Sequence, residues 1–449
     1  MRHHSGLLTD LYELTMAAGY LQTGFEATAT FELFIRNLPP RRSFLVAAGL
    51  EQALDFLEHV HFSAEDIDYL RCHPVFQHVA PAFFDYLARF RFTGEVYAMP
   101  EGTLVFPNEP LLRVTAPAAE GQIVETFLLA TINFQTMIAS KAARVVTAAQ
   151  GRPVIEFGTR RAHGIESGVL AARAAYAGGC QGTSNVCAGR EFGIPTFGTL
   201  AHSWIMAHDD EAEAFRQFLD VFPDQAILLV DTYDVRAAVE KLLRMGRKPR
   251  GVRLDSGDLV ADSQWVRQRL DRSGWHDVQI FASGDLDEEK IEDLLRRGAR
   301  IDGFGVGTAL ATSSDAPTLG VLYKLVEIER RGSVRTVAKF SEAKVTYPGR
   351  KQVFRFANPY GEFTHDIVAL EEETFEGGRP LLVSVMRSGK RVSPPLALEQ
   401  TREHCLAGLT RLPERYRRLA DAETYPVRFS PCLEAQLEQI RRRVTPGSA

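Results

Sequence analysis

The chain has 449 residues, enough for two or three domains and a large core. Hydrophobic residues make up 45% and charged residues 24%, which excludes a disordered chain. The formal net charge of -5 gives no global positive field for nucleic acid or an anionic membrane, so an anionic substrate must be met by local arginines and lysines.

The start, MRHHSGLLTDLYELT, has no apolar signal region, and no later run approaches the length of a membrane span. Its two histidines read as incidental rather than as metal ligands. Five scattered cysteines (Cys72, Cys180, Cys187, Cys405 and Cys432) include no C-x-x-C pair, the pattern of idle thiols in a reducing compartment. A cytoplasmic location is expected. His404, Cys405 and Cys432 are too sparse for a zinc site.

Leu7 to Tyr20 reads as a helix with Thr9 as a candidate N-cap. ATATFELFIRNLP then reads as a strand, and AAGLEQALDFLEHV as an amphipathic helix. Residues 90 to 116 are turn-punctuated and rich in strand formers, which predicts a small β-rich unit. A long helical stretch follows Pro117.

Between Pro153 and Gly307 apolar runs alternate with amphipathic helices: PVIEFG, a short GGCQGTS, PTFGTL, AILLVD, GVRLD, VQIFASG and IDGFGVG are the runs. Such alternation calls for parallel strands with crossover helices, and so many units in succession favour a closed or nearly closed barrel over an open sheet. PTFGTLAH is read as a strand delivering His202 at its carboxyl end. Beyond Thr312 the alternation stops, and hairpins with the turn RRGS give way to two closing helices. The expected fold is α/β: an irregular, TIM-like parallel barrel (118–312) joined to a discontinuous α+β domain from both chain ends (1–117 and 313–449).

Each apolar run of the alternating region ends in a polar or glycine cluster, and such ends meet on one face of a parallel barrel. The clusters after the last two strands, Ser283-Gly284-Asp285 and Gly305-Val306-Gly307-Thr308, stand where barrels commonly hold a phosphate on backbone N–H groups. Arg160, Arg161 and Arg253 suit phosphate or carboxylate oxygens, or else form ion pairs with nearby acids. Asp231, Asp255 and Asp258 are read either as Mg²⁺ holders or, like Asp234, as helix caps. Phe157 is either a core residue or a stacking platform. His202 is either a satisfied core histidine or a group for proton or phosphoryl transfer. There is no G-x-x-x-x-G-K-[ST] loop, no G-x-G-x-x-G turn, no H-E-x-x-H and no G-x-S-x-G. No lysine ends any of these runs, which argues against a Schiff-base aldolase.

The motifs TDLYELTMAAGY, EFGTRRAHG, GTSNV, FGTLAHSW, VDTYD, VRLDSGDL, FGVGT and KFSEAKVTYPGRKQVFR occur in one order, and with them the chain resembles the nicotinate phosphoribosyltransferases over most of its length. The resemblance implies transfer of phosphoribose from phosphoribosyl pyrophosphate to nicotinate, giving nicotinate mononucleotide and pyrophosphate in NAD salvage. It implies Mg²⁺, ATP hydrolysis coupled through a phosphohistidine at His202, and a homodimer with shared sites. Phe157 and Tyr12 of a second subunit would sandwich the pyridine ring, and Arg160 and Arg253 would contact substrate. Asp255 would lie near the ribose, with Thr183, Ser184 and Asp231 also in the substrate site. Gly284, Asp285, Gly305, Gly307 and Thr308 would cradle the 5-phosphate, with Lys339, Lys344 and Arg350 at the pyrophosphate or ATP site. The resembling nicotinamide enzyme carries a carboxylate in the turn where this chain has Ser184. A hydroxyl there can donate to nicotinate's carboxylate, which an aspartate would repel, so the acid is the expected substrate. A barrel regulator without turnover is the reading from another class.

Overall fold

The structure is a computed structural model that describes residues 4–340 and 345–444. Two compact units divide it, one formed by Met1–Met137 with Thr318–Ala449, the other by Ile138–Pro317. The helix Glu125–Ala148 carries the chain from the first into the second.

The first unit is antiparallel in the main. Among the described residues its larger sheet runs Ser333–Thr336, Val321–Arg330, Thr28–Ile35, Pro110–Pro117, Glu95–Ala98, Val383–Arg387, Lys390–Arg391. The 90–116 region therefore contributes strands to a shared sheet rather than forming a unit of its own. A second sheet joins Arg379–Pro380, Lys351–Ala357, Phe363–Leu370 and Val427–Phe429. The helix Leu50–His59 buries Leu50, Ala53, Leu54, Phe56 and Leu57, the face its apolar spacing predicts.

The N-terminal helix differs from expectation. It spans Leu11–Gln22 with Asp10 at the N-cap position. Thr9 does not cap it, because its hydroxyl is engaged instead with the Ile123 carbonyl (2.9 Å) and the Glu13 carboxyl. The long stretch after Pro117 is two helices, Ala118–Ile123 and Glu125–Ala148.

The second unit is built on six parallel strands in the order Gly182–Thr183, Val154–Glu156, Gly303–Val306, Gln279–Ala282, Gly251–Leu254, Ile227–Leu229. Crossover helices such as Val235–Met245, Leu259–Arg272 and Glu288–Arg296 connect them. Val235–Met245 packs Ala238, Val239 and Leu242 inward, into a core with Leu228, Val252, Val266 and Ile280.

The expected PTFGTLAH strand is not regular. It touches one edge through a parallel bridge between Thr183 and Thr196 and through Phe197 N–H donated to the Thr183 carbonyl (2.9 Å). It touches the other through Leu200 N–H donated to the Ile227 carbonyl (3.2 Å). Among the described residues these few bonds do not extend into a ladder on either side. His202 accordingly opens the short helix His202–Met206 instead of ending a strand.

Cys72, Cys180, Cys187, Cys405 and Cys432 are free thiols. His4 lies with Asp55 and His59, ligand atoms within 4.8 Å of one another, so that histidine is less incidental than its terminal position suggests. Among the described residues no helix is long and apolar enough to cross a membrane.

Candidate active site

The carboxyl ends of the parallel strands gather most of the polar residues singled out in the sequence. At the end of Val154–Glu156 the chain turns at Phe157 and Gly158. Glu156 is fully buried: its carboxyl accepts from the Thr183 hydroxyl (2.6 Å) and from the Gly158 N–H. Burial pushes this carboxyl up, and the two hydrogen bonds only partly oppose that. Thr183 is also completely buried, and its hydroxyl accepts from Asn185 N–H (3.0 Å) as well. Its role in the structure is thus to tie the Gly182-Thr183-Ser184-Asn185 turn to Glu156. Ser184 is exposed beside it. Asn185 caps the helix Val186–Phe192.

The Phe157 ring occupies the space that a side chain at Gly305 would need; an ideal Cβ there would lie 2.4 Å from two ring carbons. Gly305 is buried beneath the ring, so its backbone is not an open cradle. The Arg253 guanidinium carbon lies 5.6 Å from the ring centroid. These residues, with Phe197, Thr199 and Ser283, line a narrow cleft whose cavity volume is only about 20 Å³.

Arg253 is held from three sides. Nε donates to the Ser283 hydroxyl (2.7 Å), Nη1 to the Thr199 hydroxyl (2.8 Å) and Nη2 to Asp255 Oδ1 (2.5 Å). Ser283 in turn donates to the same Asp255 oxygen. Burial opposes ionisation of Asp255, but the Ser283 hydrogen bond and the Arg253 charge outweigh it and hold the carboxyl below its usual range. His202 faces this group, its Nε2 3.8 Å from Asp255 Oδ2 and its Nδ1 3.2 Å from the Thr232 hydroxyl.

Asp231 lies one strand away. Its Oδ2 accepts from Asp255 N–H (2.8 Å) and from the Ser256 hydroxyl (2.7 Å). Its Oδ1 is buried and has no hydrogen-bond partner among the described residues. Asp258 and Asp234 are helix caps, accepting from Val260 and Ala261 N–H and from Ala237 N–H respectively.

Gly284 and Asp285 are exposed in a left-handed turn with φ of 94° and 49°, and Gly284 packs so closely that a Cβ would meet the Asp255 carbonyl at 1.9 Å. Gly307 and exposed Thr308 begin the short helix Thr308–Ala311. Arg160 and Arg161 are exposed in the 3₁₀ turn Thr159–Arg161, with no ion pair among the described residues.

Tyr12, Lys339 and Arg350 belong to the other unit. Tyr12 is 46% exposed on the helix Leu11–Gln22. Lys339 is exposed, while Arg350 is paired with Glu327 at 2.7 Å. Lys344 lies outside the described residues. Sequence reading passed over Glu156, Thr199, Thr232 and Ser283 as individual residues. Glu156, Thr232 and Ser283 each stand in a polar cluster that ends an apolar run, which is the signal for them in the sequence.

Three family models match this chain in succession. They describe the nicotinate phosphoribosyltransferase N-terminal domain (residues 7–133), the nicotinate phosphoribosyltransferase family (153–366) and the C-terminal domain (374–437). The chain belongs to the nicotinate phosphoribosyltransferase family. The nicotinate phosphoribosyltransferase pncB2 of Mycobacterium tuberculosis (strain ATCC 25618 / H37Rv) is 46% identical, covering 100% of this chain and 97% of that one. The nicotinate phosphoribosyltransferase of Bacillus subtilis is 38% identical over 97% and 95%. The crystal structure of human nicotinic acid phosphoribosyltransferase superposes with a TM-score of 0.83 at 29% identity, covering 96% and 99%. In this nicotinate phosphoribosyltransferase family member the mixed α/β fold, with one parallel and several antiparallel sheets, is therefore the fold of its relatives.

Proposed function

We propose that this chain transfers phosphoribose from phosphoribosyl pyrophosphate to the ring nitrogen of nicotinate, releasing pyrophosphate, as a step of NAD salvage. The observation that carries the reading is the Phe157 ring seated on Gly305 beside the Arg253–Asp255–Ser283 cluster. A flat ring next to a fixed guanidinium suits an aromatic carboxylate: the ring stacks and the fork meets its charge. Ser184 and Arg160, exposed at neighbouring strand ends, are the further donors for substrate oxygens.

As pyrophosphate leaves, the ribose C1 gains positive character, and the ionised Asp255 suits that charge. Stacking on Phe157 holds the pyridine nitrogen in line for attack on C1. The backbone of Gly284, Asp285, Gly307 and Thr308 is the candidate cradle for the 5-phosphate, with Gly305 supporting the ring instead. The orphaned, buried Oδ1 of Asp231 fits a divalent cation, and Mg²⁺ bound there would neutralise charge on the leaving group.

Coupling to ATP is proposed at His202. Its imidazole is partly exposed, and donation of Nδ1–H to Thr232 would leave the Nε2 lone pair free to take the γ-phosphoryl group, releasing ADP; water later returns it as phosphate. Segment 195–200, bonded to both sheet edges, supports reading the parallel unit as a closed, irregular barrel. The exposed apolar side chains of Leu8, Leu11, Tyr12 and Met16 support a homodimer in which Tyr12 serves the partner's site. Free thiols throughout support a cytoplasmic location.

The test supplies Mg²⁺ and phosphoribosyl pyrophosphate with nicotinate, nicotinamide or quinolinate, each with and without ATP, and detects the mononucleotide. Product from nicotinate alone, stimulated by ATP and uncoupled in His202→Ala, is expected. Product from nicotinamide would overturn the Ser184 argument, and no product from any base would leave a phosphate-binding regulator.

A further inference from the structure

The first unit contains a cavity of about 380 Å³ that plays no part in the reaction above. Its walls bring together Arg355 from the strand Lys351–Ala357, Arg379 from the edge strand Arg379–Pro380, and His404 and Arg411 from the helix Leu398–Arg411. No aspartate or glutamate is among the residues lining it. In a chain of net charge -5 such one-sided lining is not the average surface.

Each cation has donor capacity left. Arg355 is only 6% exposed; its Nε and Nη2 serve Asp366 and the Leu104 carbonyl, while Nη1 has no hydrogen bond among the described residues. Arg411 uses Nε on the Gly361 carbonyl (2.8 Å) and lies over Phe363, 4.6 Å from the ring centroid. That leaves both of its terminal nitrogens without a hydrogen bond among the described residues. Arg379 is exposed and has no ion pair there. His404 is tied to the Thr103 hydroxyl at 3.1 Å; burial and the three arginines hold its imidazole below the usual range, so it enters as a neutral group.

We propose that this pocket binds a small phosphate-bearing molecule, with the anion between Arg355, Arg379 and Arg411 and the remainder against Phe363. Converging guanidinium forks match a dianion better than a single carboxylate, and the volume lies at the lower end of small-molecule sites. This site is separate from the strand-end cluster and does not depend on the activity proposed for it.

The test is hydrogen exchange on the full chain with inorganic phosphate or with adenosine monophosphate. Protection of residues 377–383 and 401–411 is expected. The Arg379→Glu variant changes an exposed side chain on a short edge strand and should weaken the effect at least about tenfold. Arg411→Gln is the second variant, needed because Arg411 also supports the 361–363 turn. An effect of both ligands at equal concentration identifies free phosphate as sufficient; an effect of the nucleotide alone identifies an organic phosphate. Protection confined to residues 253–308, or protection unchanged in both variants, overturns the proposal.

Discussion

The Phe157 ring lies where a Cβ of Gly305 would stand, at 2.4 Å from two of its carbons. One methyl group at residue 305 must therefore tilt or displace the ring. In Gly305→Ala the KM for nicotinate is expected to rise about tenfold or more, since misplacing a positioning group by an ångström is costly. The KM for phosphoribosyl pyrophosphate should move far less. Steady-state kinetics on both substrates check this, and an unchanged nicotinate KM would remove Phe157 from the ring site.

Ser283 links Arg253 to Asp255 by accepting from the first and donating to the second. Removing the hydroxyl leaves Arg253 Nε without that acceptor and Asp255 Oδ1 without one of its two side-chain donors. In Ser283→Ala, kcat/KM is expected to fall about ten- to a hundredfold with little loss of Tm, because the hydroxyl orients the charged pair and fills little volume. Ser283→Thr, which keeps the hydroxyl, should recover part of the rate. Equal activity of serine and alanine variants would make the link merely structural.

Alternation of apolar runs with amphipathic helices made the parallel unit legible, because each strand is buried on both faces and leaves a continuous hydrophobic signature. The polar clusters were legible for the same reason: they interrupt those signatures at strand ends. What local sequence did not carry was the partner of each group. Thr183 looks like an exposed turn residue until the Val154–Glu156 strand puts the Glu156 carboxyl beneath it. Ser283 gains its role only through the pairing that sets Ala282 beside Leu254. Asp234 and Asp258 proved to be caps, the alternative that their positions before helices had left open. The segment before His202 reads as a strand by composition, yet it forms only an isolated bridge and a few single backbone bonds.

Glu13 gives a pH dependence with a definite sign. It is fully buried, accepting from Thr126 (2.6 Å) and from Thr9, and burial pushes its carboxyl up to about 8. A folded-state value above the unfolded one means that the folded protein holds this proton more tightly. Stability from this group is complete at acid pH and falls as pH rises from about 4.5 to about 8, levelling off beyond. The loss is on the order of a few kcal/mol. Glu13→Gln cannot ionise, so its Tm relative to the unmodified chain should increase steadily from pH 5 to pH 8. Parallel Tm profiles would show that Glu13 titrates normally.

Glu288 stands at the start of the helix Glu288–Arg296 and binds Lys141 at 2.5 Å and Arg144 Nε at 2.9 Å, all three nearly inaccessible to solvent. Lys141 also reaches Asp315 at 2.8 Å. Burial opposes ionisation here, but the Lys141 charge and its hydrogen bond, with that from Arg144, hold the Glu288 carboxyl below its usual range. In Glu288→Gln two buried cations are left with one fewer counter-charge, a change that costs about 3 kcal/mol in such settings. Denaturant unfolding should show a lower midpoint with an unchanged slope. Because Lys141 and Arg144 lie on the helix that enters the parallel unit, and Glu288 follows the Gly284-Asp285 turn, the variant should also loosen that turn. Hydrogen exchange at residues 283–288 should then rise more than at 227–229. Uniform acceleration at both places would reduce the effect to global destabilisation and detach the ion pair from the turn.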